Sequence, residues 1–376
     1  MNHSRQAAWR WVIVMIVVAA SGLALKAGLS VAARASGEQP LRSTVATSSY
    51  IYRFDPVAQT FVTIPLPIGS VPMHGVVTGT APTHVWVTEY GRNQIGHLVF
   101  TNTNSFAWTE YPVTSTGNSR PYRIAVAGNS VWFTERGANR IGRLNTTTGQ
   151  LDEFQGNGLS PNGNLADIKV APDGRVWIAA PGSQRLAQLV VTTTQVYAFR
   201  EYTDTFRPGN VLMPEYLAVA SNDLIWLTNP QSSANLRVVK FTPSIPFFIN
   251  ATSLSTVYPR EIVVTAGNTW YTNLGNNTLD QIDTATNPII NHRVAISSPV
   301  ALASAGVSTF WLTQQTRPAV ISRAIYTDAL STSSVATYAL PMADLTLTSI
   351  AVAADGNVWV TAFQPNQIFL PLMNKN

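Results

Sequence analysis

Four side chains of this sequence could together perform acid–base or metal-assisted chemistry. His74 can exchange a proton near neutral pH, and Glu89, Glu135 and Glu215 could each give oxygen ligands to a divalent cation. The chain has no cysteine, which excludes thiol catalysis, cysteine-bound zinc and disulfides.

Glu89 and Glu135 each end a short apolar run around a tryptophan, and this run recurs along the chain. The copies read HVWVTE, SVWFTE, RVWIAA, LIWLTN, NTWYTN, TFWLTQ and NVWVTA, with tryptophans at positions 86, 132, 177, 226, 270, 311 and 359. In each repeat one apolar run precedes the tryptophan run, a third follows it, and a fourth closes most copies. Four short strands repeated seven times predict an all-β fold, a seven-bladed β-propeller of four-stranded blades.

The ends of the propeller can also be predicted. The seventh repeat lacks a fourth strand, whereas residues 50–67 (YIYRFDPVAQTFVTIPLP) resemble third and fourth strands placed before the first repeat. We predict that Phe61–Leu66 completes the last blade, so that the propeller spans residues 49–376 and leaves no exposed edge there. Each repeat tryptophan is expected to pack between neighbouring blades rather than to contact a ligand.

The alignment of the repeats places two rings of residues near one mouth of the central channel. The first ring starts the first strand of each blade and holds His74, Tyr122, Ala166, Glu215, Arg260, Val300 and Thr348. The second ring follows each tryptophan by three residues and holds Glu89, Glu135, Ala180, Asn229, Asn273, Gln314 and Ala362. Convergent polar groups at a mouth predict a binding pocket, here of His74, Tyr122, Glu215, Arg260, Asn229, Asn273 and Gln314. Two structural roles stay open: Glu89 and Glu135 could bond neighbouring strands, and Glu215 could pair with Arg260.

The N-terminal segment predicts export. An apolar run over residues 11–25 follows a short basic start, with the length of a signal-peptide core but not of a membrane span. Ala33-Arg34-Ala35 offers a cleavage site, so residues 1–35 are predicted to form a signal peptide or, if uncleaved, an N-terminal helical anchor. Residues 36–48 are predicted to be a flexible tether. The propeller is therefore expected to be secreted or extracytoplasmic, and to meet a membrane only through residues 11–25.

The charge of the chain argues against nucleic acid as a partner. Residues 1–35 hold four basic residues and no acidic one, so the rest carries 24 − 4 = 20 basic against 19 acidic residues. No cluster of Lys and Arg follows, and a phosphate-binding surface is not expected. Charged residues make up only 11% of the chain. This low charge suits a module that binds a small molecule, a peptide, a glycan or a protein partner, and we expect the protein to be a monomer.

Two segments carry a family resemblance. Residues 121–154 (PYRIAVAGNSVWFTERGANRIGRLNTTTGQLDEF) and 74–98 (HGVVTGTAPTHVWVTEYGRNQIGHL) resemble the repeats of streptogramin B lyases, also called virginiamycin B lyases. The resemblance implies a seven-bladed propeller that opens a cyclic depsipeptide at its ester bond by elimination, with Mg²⁺ and a His/Glu cluster. It also implies that the catalytic histidines start first strands in segments like P-H-G-I. His74, in VPMHGVV, matches that position, and the other repeats hold no histidine there.

Three hypotheses about function follow, and whether the protein is an enzyme stays open. The first is an extracytoplasmic binding module with an incomplete lyase site, whose ligand or partner lies at the channel mouth. The second is a Mg²⁺-dependent carbon–oxygen lyase with a rearranged site around His74, Glu89, Glu135 and Glu215. The third is a lactonase-like hydrolase that holds a metal ion through Glu215, Asn229 and Asn273, although relatives of that type have six blades.

Overall fold

The part of the chain that the computed structural model describes lies within Val45–Asn376. The described ranges are 48–71, 75–79, 81–101, 105–113, 118–193, 196–204, 211–220, 224–230, 238–244, 246–250, 258–282, 291–327 and 332–365. The predicted N-terminal helix and all but the last residue of the predicted tether lie outside these ranges. Among the described residues, no helix has the length and apolar character needed to cross a membrane.

These residues form seven four-stranded antiparallel sheets, which confirms the predicted propeller. The strands next to the channel are β3 (Val76–Thr78), β7 (Pro121–Ala127), β11 (Ile168–Val170), β15 (Tyr216–Val219), β19 (Pro259–Thr265), β23 (Pro299–Ser304) and β27 (Thr346–Val352). The second strands, which carry the repeat tryptophans, are β4 (His84–Glu89), β8 (Ser130–Glu135), β12 (Val176–Ala180), β16 (Ile225–Thr228), β20 (Asn268–Asn273), β24 (Thr309–Gln314) and β28 (Val358–Phe363).

The third and fourth strands complete each blade toward its outer edge. The third strands are β5 (Gln94–Phe100), β9 (Arg140–Asn145), β13 (Arg185–Val191), β17 (Val238–Thr242), β21 (Thr278–Ile282), β25 (Val320–Thr327) and β1 (Ser49–Asp55). The outer strands are β6 (Phe106–Pro112), β10 (Leu151–Phe154), β14 (Tyr197–Tyr202), β18 (Phe247–Asn250), β22 (Asn291–Ala295), β26 (Thr332–Ala339) and β2 (Thr60–Pro65). We number the blades 1 to 7 from the blade that begins with β3.

The last blade joins distant parts of the chain. Its order is β2–β1–β28–β27, so the segment before the first repeat supplies both the third and the fourth strand. The sequence suggested Phe61–Leu66 for one closing strand, and β2 runs over Thr60–Pro65. The register pairs Tyr52 with Val360 across β1 and β28. In the seventh repeat, the run that follows the tryptophan run and was expected to form the third strand is NQIFL. It begins at residue 366, outside the described residues.

The repeat tryptophans pack each blade against the next one. Trp86 of blade 1 lies in a cluster with Ile124 and Val131 of blade 2. At the closure, Trp359 of blade 7 lies in a cluster with Val76 of blade 1. All seven repeat tryptophans are buried. Because a large aromatic side chain removes much apolar surface from water, this arrangement supplies one strong contact at every blade boundary.

Bulges near the mouth change which way the innermost strands present their side chains. In β7 the register shifts between Pro121 and Ile124, so that Tyr122 and Arg123 together oppose Thr134. Strands β19, β23 and β27 have similar shifts. A bulge leaves one residue unpaired and bends the strand, which re-aims the side chains around it. Two successive residues can therefore be directed to the mouth.

The threonine of the repeat motif fixes these bulges. The Thr134 hydroxyl accepts a 3.1 Å hydrogen bond from the backbone N–H of Arg123 in the same blade. The Thr88 hydroxyl donates a 3.1 Å bond to the carbonyl oxygen of Tyr122 in the next blade. Both threonines are fully buried. The threonine of WVTE and WFTE is thus a positioning residue for the channel mouth.

Candidate functional site at the channel mouth

The first ring brings polar side chains from three blades to one end of the channel. Arg260 and Glu215 approach to 3.8 Å between Nη1 and Oε1, which bears out the ion pair that the sequence left open. Burial raises the pKa of Tyr122, with Glu215 adding to the rise and Arg136 and Arg123 opposing it. Blades 2, 4 and 5 therefore contribute to one cluster. His74 lies outside the described residues, so its place relative to this cluster stays a prediction.

Two phenol rings lie side by side along the neighbouring rim, and each of them is in contact with a guanidinium group. The Arg136 guanidinium lies 4.3 Å from the centre of the Tyr122 ring, and that of Arg120 lies 5.6 Å from the Tyr90 ring. The two tyrosine rings meet edge to face with centroids 6.3 Å apart. Such surfaces can stack on planar groups and bind carboxylates. The sequence singled out Tyr122 here but missed Tyr90, Arg120 and Arg136, which lie in turns or just before strands.

The second ring lies inside the blades rather than at the mouth. Its polar members, which the sequence placed in the pocket, are all buried. Asn229 accepts a 2.7 Å bond from the backbone N–H of Met213, and Asn273 donates a 2.8 Å bond to Asp280. The Gln314 amide donates to Ser322 of the neighbouring strand. These amides hold loops and strands of their own blades.

The two glutamates of the second ring also point into their blades. The carboxylate of Glu89 accepts a bond from the Ser70 hydroxyl and lies 3.5 Å from Arg92. Glu135 binds Arg140, its partner across β8 and β9, at 2.8 Å. Both glutamates are fully buried. The structure thus supports the alternative that they bond neighbouring strands.

The glutamates expected to bind Mg²⁺ do not fit a common ion site. Glu89 lies over Gly96 of its own blade, where a Cβ atom would come within 3.0 Å of Oε1. Burial raises its pKa, which disfavours the ionised form that a metal needs. Glu135 and Glu215 each face an arginine. Within the described ranges, no group of three or more His, Asp or Glu side chains could hold a metal ion.

An ion network inside the channel was missed by the sequence. Arg123 of blade 2 reaches Glu261 of blade 5 through two bonds of 2.8 and 3.3 Å. Its Nε also lies 4.0 Å from Asp167, which accepts a 3.1 Å bond from Lys169. Burial lowers the pKa of Arg123, but Glu261 and Asp167 outweigh it and raise that pKa overall. The network is neutral and links blades that are not neighbours.

The cavity around this network follows the channel axis. It has a volume of about 360 Å³ and is lined by innermost strands of six blades. Arg123 and Glu261 are both among its lining residues, so their ion pair crosses the interior of the channel. A ligand that enters at the mouth therefore meets this pair below the Arg260–Glu215 pair. The sequence signal that could have revealed this network is the residue that follows each first-ring position. That residue is ionisable in blades 2 to 5, at Arg123, Asp167, Tyr216 and Glu261.

Glu135 should make the stability of the fold depend on pH. Burial raises its pKa to about 7, with Glu153 adding to the rise and Arg140 opposing it. A carboxyl group whose pKa is raised on folding stabilises the protein fully at low pH, and that contribution is lost as pH rises through about 7. The variant Glu135→Gln mimics the protonated group. We expect its free energy of unfolding, relative to that of the wild type, to increase by on the order of 1–3 kcal/mol as the pH is raised from 5 to 8.

Urea denaturation of both proteins at pH 5, 6, 7 and 8 measures this difference. Glu153→Gln is the companion variant, because removing the Glu153 charge should lower the pKa of Glu135 and weaken the pH dependence. A difference between Glu135→Gln and the wild type that stays constant from pH 5 to 8 would show that Glu135 is ionised throughout.

Seven four-stranded blades around a channel with a polar mouth define this chain as a seven-bladed β-propeller. The family model of the virginiamycin B lyase family matches residues 73–323, about two thirds of the chain. The chain therefore belongs to the virginiamycin B lyase family, which confirms the resemblance seen in the first repeats. No curated protein matches it in sequence.

Solved structures of lyases share the fold. A streptogramin B lyase superposes with a TM-score of 0.64 at 20% identity, covering 85% of this chain and 98% of that one. Virginiamycin B lyase from Staphylococcus aureus superposes with a TM-score of 0.62 at 19% identity, covering 83% of this chain and 99% of that one. A catalytically inactive variant of the S. aureus enzyme with quinupristin gives 0.62 at 20% identity, covering 81% and 98%. At such identities the likeness concerns the fold.

Proposed function

We propose that this protein is an extracytoplasmic binding propeller that holds a ligand at the channel mouth and does not open esters by elimination. The observation that carries the proposal is the Arg260–Glu215 pair. Its 3.8 Å separation is too long for a hydrogen bond, and Arg260 Nε is buried without a hydrogen-bond partner among the described residues. A buried donor left without a partner costs stability, and the Arg260 side chain is 19% exposed, so its terminal nitrogens can reach an acceptor oxygen of a ligand at the mouth.

The chemistry of the ligand follows from the groups around that donor. Arg260 and the rim residues Arg120 and Arg136 supply positive charge, and Tyr90 and Tyr122 supply flat faces. Guanidinium groups bind carboxylates through paired bonds, and tyrosine faces stack on planar or sugar rings. The proposed ligand is therefore a small molecule, peptide or glycan that carries a carboxylate. The lyase chemistry is disfavoured because the three glutamates expected to hold the metal ion, Glu89, Glu135 and Glu215, each face an arginine.

Binding can be tested with matched ligand pairs. Acidic and neutral oligosaccharides of one backbone, and peptides with a free or an amidated C-terminus, are titrated calorimetrically. We expect the member with the carboxylate to bind more tightly, and Arg260→Met to remove that preference. Arg293→Met is the control, since Arg293 lies on outer strand β22 and pairs with Asp280. Equal binding of both members by the wild type would reject the proposed ligand class.

A second candidate, a Mg²⁺-dependent carbon–oxygen lyase, is favoured by family membership and by His74. A third candidate, a metal-dependent lactonase-like hydrolase, would also have its site at the channel mouth. One assay separates them: a streptogramin B antibiotic is incubated with the protein and Mg²⁺ and then analysed by chromatography and mass spectrometry. Intact antibiotic supports the binding module. A ring-opened product of unchanged mass would establish the lyase, and a product heavier by one water would establish the hydrolase.

A further inference from the structure

A pair of histidines occupies the end of blade 1 that is opposite the channel mouth. His84 is the first residue of β4, whereas Glu89, buried at the end of the strand that is nearer the mouth, is the last. His97 lies in β5, directly across from Trp86. The Nδ1 atom of His84 and the Nε2 atom of His97 are 3.0 Å apart, and both side chains are half-buried. Neither the proposed ligand site nor the ion network in the channel uses this pair.

Both imidazole rings are held in place by their surroundings. Trp86 stacks on His97 with centroids 3.7 Å apart and an angle of 1° between the planes. The backbone of His84 is fixed by a 2.7 Å bond from Gly79 N–H to its carbonyl oxygen. A Cβ on Gly79 would lie 2.9 Å from the Cβ of His84, so glycine provides the room for this ring. The two nitrogens therefore face one another before any ligand arrives.

The distance between the nitrogens is that of a hydrogen bond, and it also suits two neighbouring ligands of one metal ion. Metal–imidazole bonds of about 2.0–2.1 Å would give an N–metal–N angle of roughly 90–100° at this separation. This is the angle between neighbouring ligands in square-planar or tetragonal geometry, which copper(II) and nickel(II) prefer. A tetrahedral zinc ion would need the nitrogens about 3.3–3.4 Å apart. Copper(II) also binds such ligands more strongly than its neighbours in the first transition row.

We propose that His84 and His97 form a copper(II) site with two neighbouring imidazole ligands and water in the remaining positions. In the metal-free pair one nitrogen carries the proton and the other accepts it. When copper binds, both lone pairs face the metal, and that proton moves to the other nitrogen of its own ring. Among the residues that the structure describes, no group of three or more His, Asp or Glu side chains surrounds the pair, so those residues offer two imidazole ligands.

Copper(II) titration of the full-length chain tests the site, in a His3→Ala background because a histidine near an N-terminal amine chelates copper itself. We expect one equivalent to bind, with two nitrogen ligands in the electron paramagnetic resonance spectrum and quenching of Trp86 fluorescence. His84→Gln and His97→Gln, which keep a polar group in the strand, should each lower the affinity by roughly tenfold or more. Nickel(II) should bind more weakly, and zinc(II) more weakly than copper.

His74→Gln and His292→Gln are the matched controls, one before blade 1 and one in blade 5. Each should leave the affinity and the spectrum unchanged. Circular dichroism confirms that every variant is folded. The proposal is overturned if both His84→Gln and His97→Gln bind copper as the parent does, or if His74→Gln alone removes the site.

Discussion

Replacement of Glu261 by alanine is expected to lower the free energy of unfolding by about 3–5 kcal/mol, the cost of leaving a buried charge without its partner. A guanidinium group is not deprotonated in proteins, so Arg123 stays charged and buried after Glu261 is removed. Asp167, 4.0 Å from Arg123, replaces only part of the lost interaction. Urea denaturation followed by circular dichroism measures the change.

Two further variants test whether the buried, unpaired charge of Arg123 causes the loss of stability in Glu261→Ala. Arg123→Met combined with Glu261→Leu removes both charges, and should recover most of the stability lost in Glu261→Ala. Arg317→Ala breaks an ion pair of 3.2 Å whose side chains are 67% and 48% exposed. It should cost less than about 1 kcal/mol. A loss in Glu261→Ala no larger than that in Arg317→Ala would mean that the channel pair is solvated and weak.

Truncation of Phe54 to alanine should cost about 3–5 kcal/mol, because it empties a large buried position in the closing strand β1. Phe54 is fully buried and lies between its own blade and blade 6. Its ring centre is 4.6 Å from those of Phe61 and Tyr338 and 5.5 Å from that of Trp311. The substitution therefore weakens both the closing blade and its boundary with the preceding one.

Phe106→Ala is the matched control for this prediction. Phe106 is also a strand phenylalanine, but it lies on outer strand β6 and is 42% exposed. Its truncation should change the unfolding free energy by less than about 1 kcal/mol. Similar losses in the two variants would show that the closing blade contributes no more than an outer strand does.

The fold could be predicted because its determinants are local and repeated. A tryptophan occurs once per blade, with a threonine two residues later in six of the seven copies, and blades of one design can only close as a ring. The closing blade was harder to predict. The run after Trp359 resembles a third strand as well as residues 50–55 do, and the pairing of β1 with β28 depends on contacts between opposite ends of the chain.

The candidate site was only partly predictable, for a geometrical reason. Aligned repeats show which residues are equivalent, but not the direction of their side chains. Glu89 and Asn273 follow their tryptophans at the same spacing and both point into their blades, toward Ser70 and Asp280. In the first strands a bulge directs two successive residues, such as Tyr122 and Arg123, toward the mouth and channel, and no residue type announces a bulge.

The pairing of β1 with β28 has a consequence during protein synthesis. Asp55 at the end of β1 and Phe363 at the end of β28 are 363 − 55 = 308 residues apart. At ribosomal rates of about 5–20 residues per second, the synthesis of β1 precedes that of β28 by roughly 15–60 s. Throughout that time its pairing edge is open to other strands, including those of neighbouring nascent chains. The edge that closes the ring is therefore the last one to be covered, wherever the chain folds.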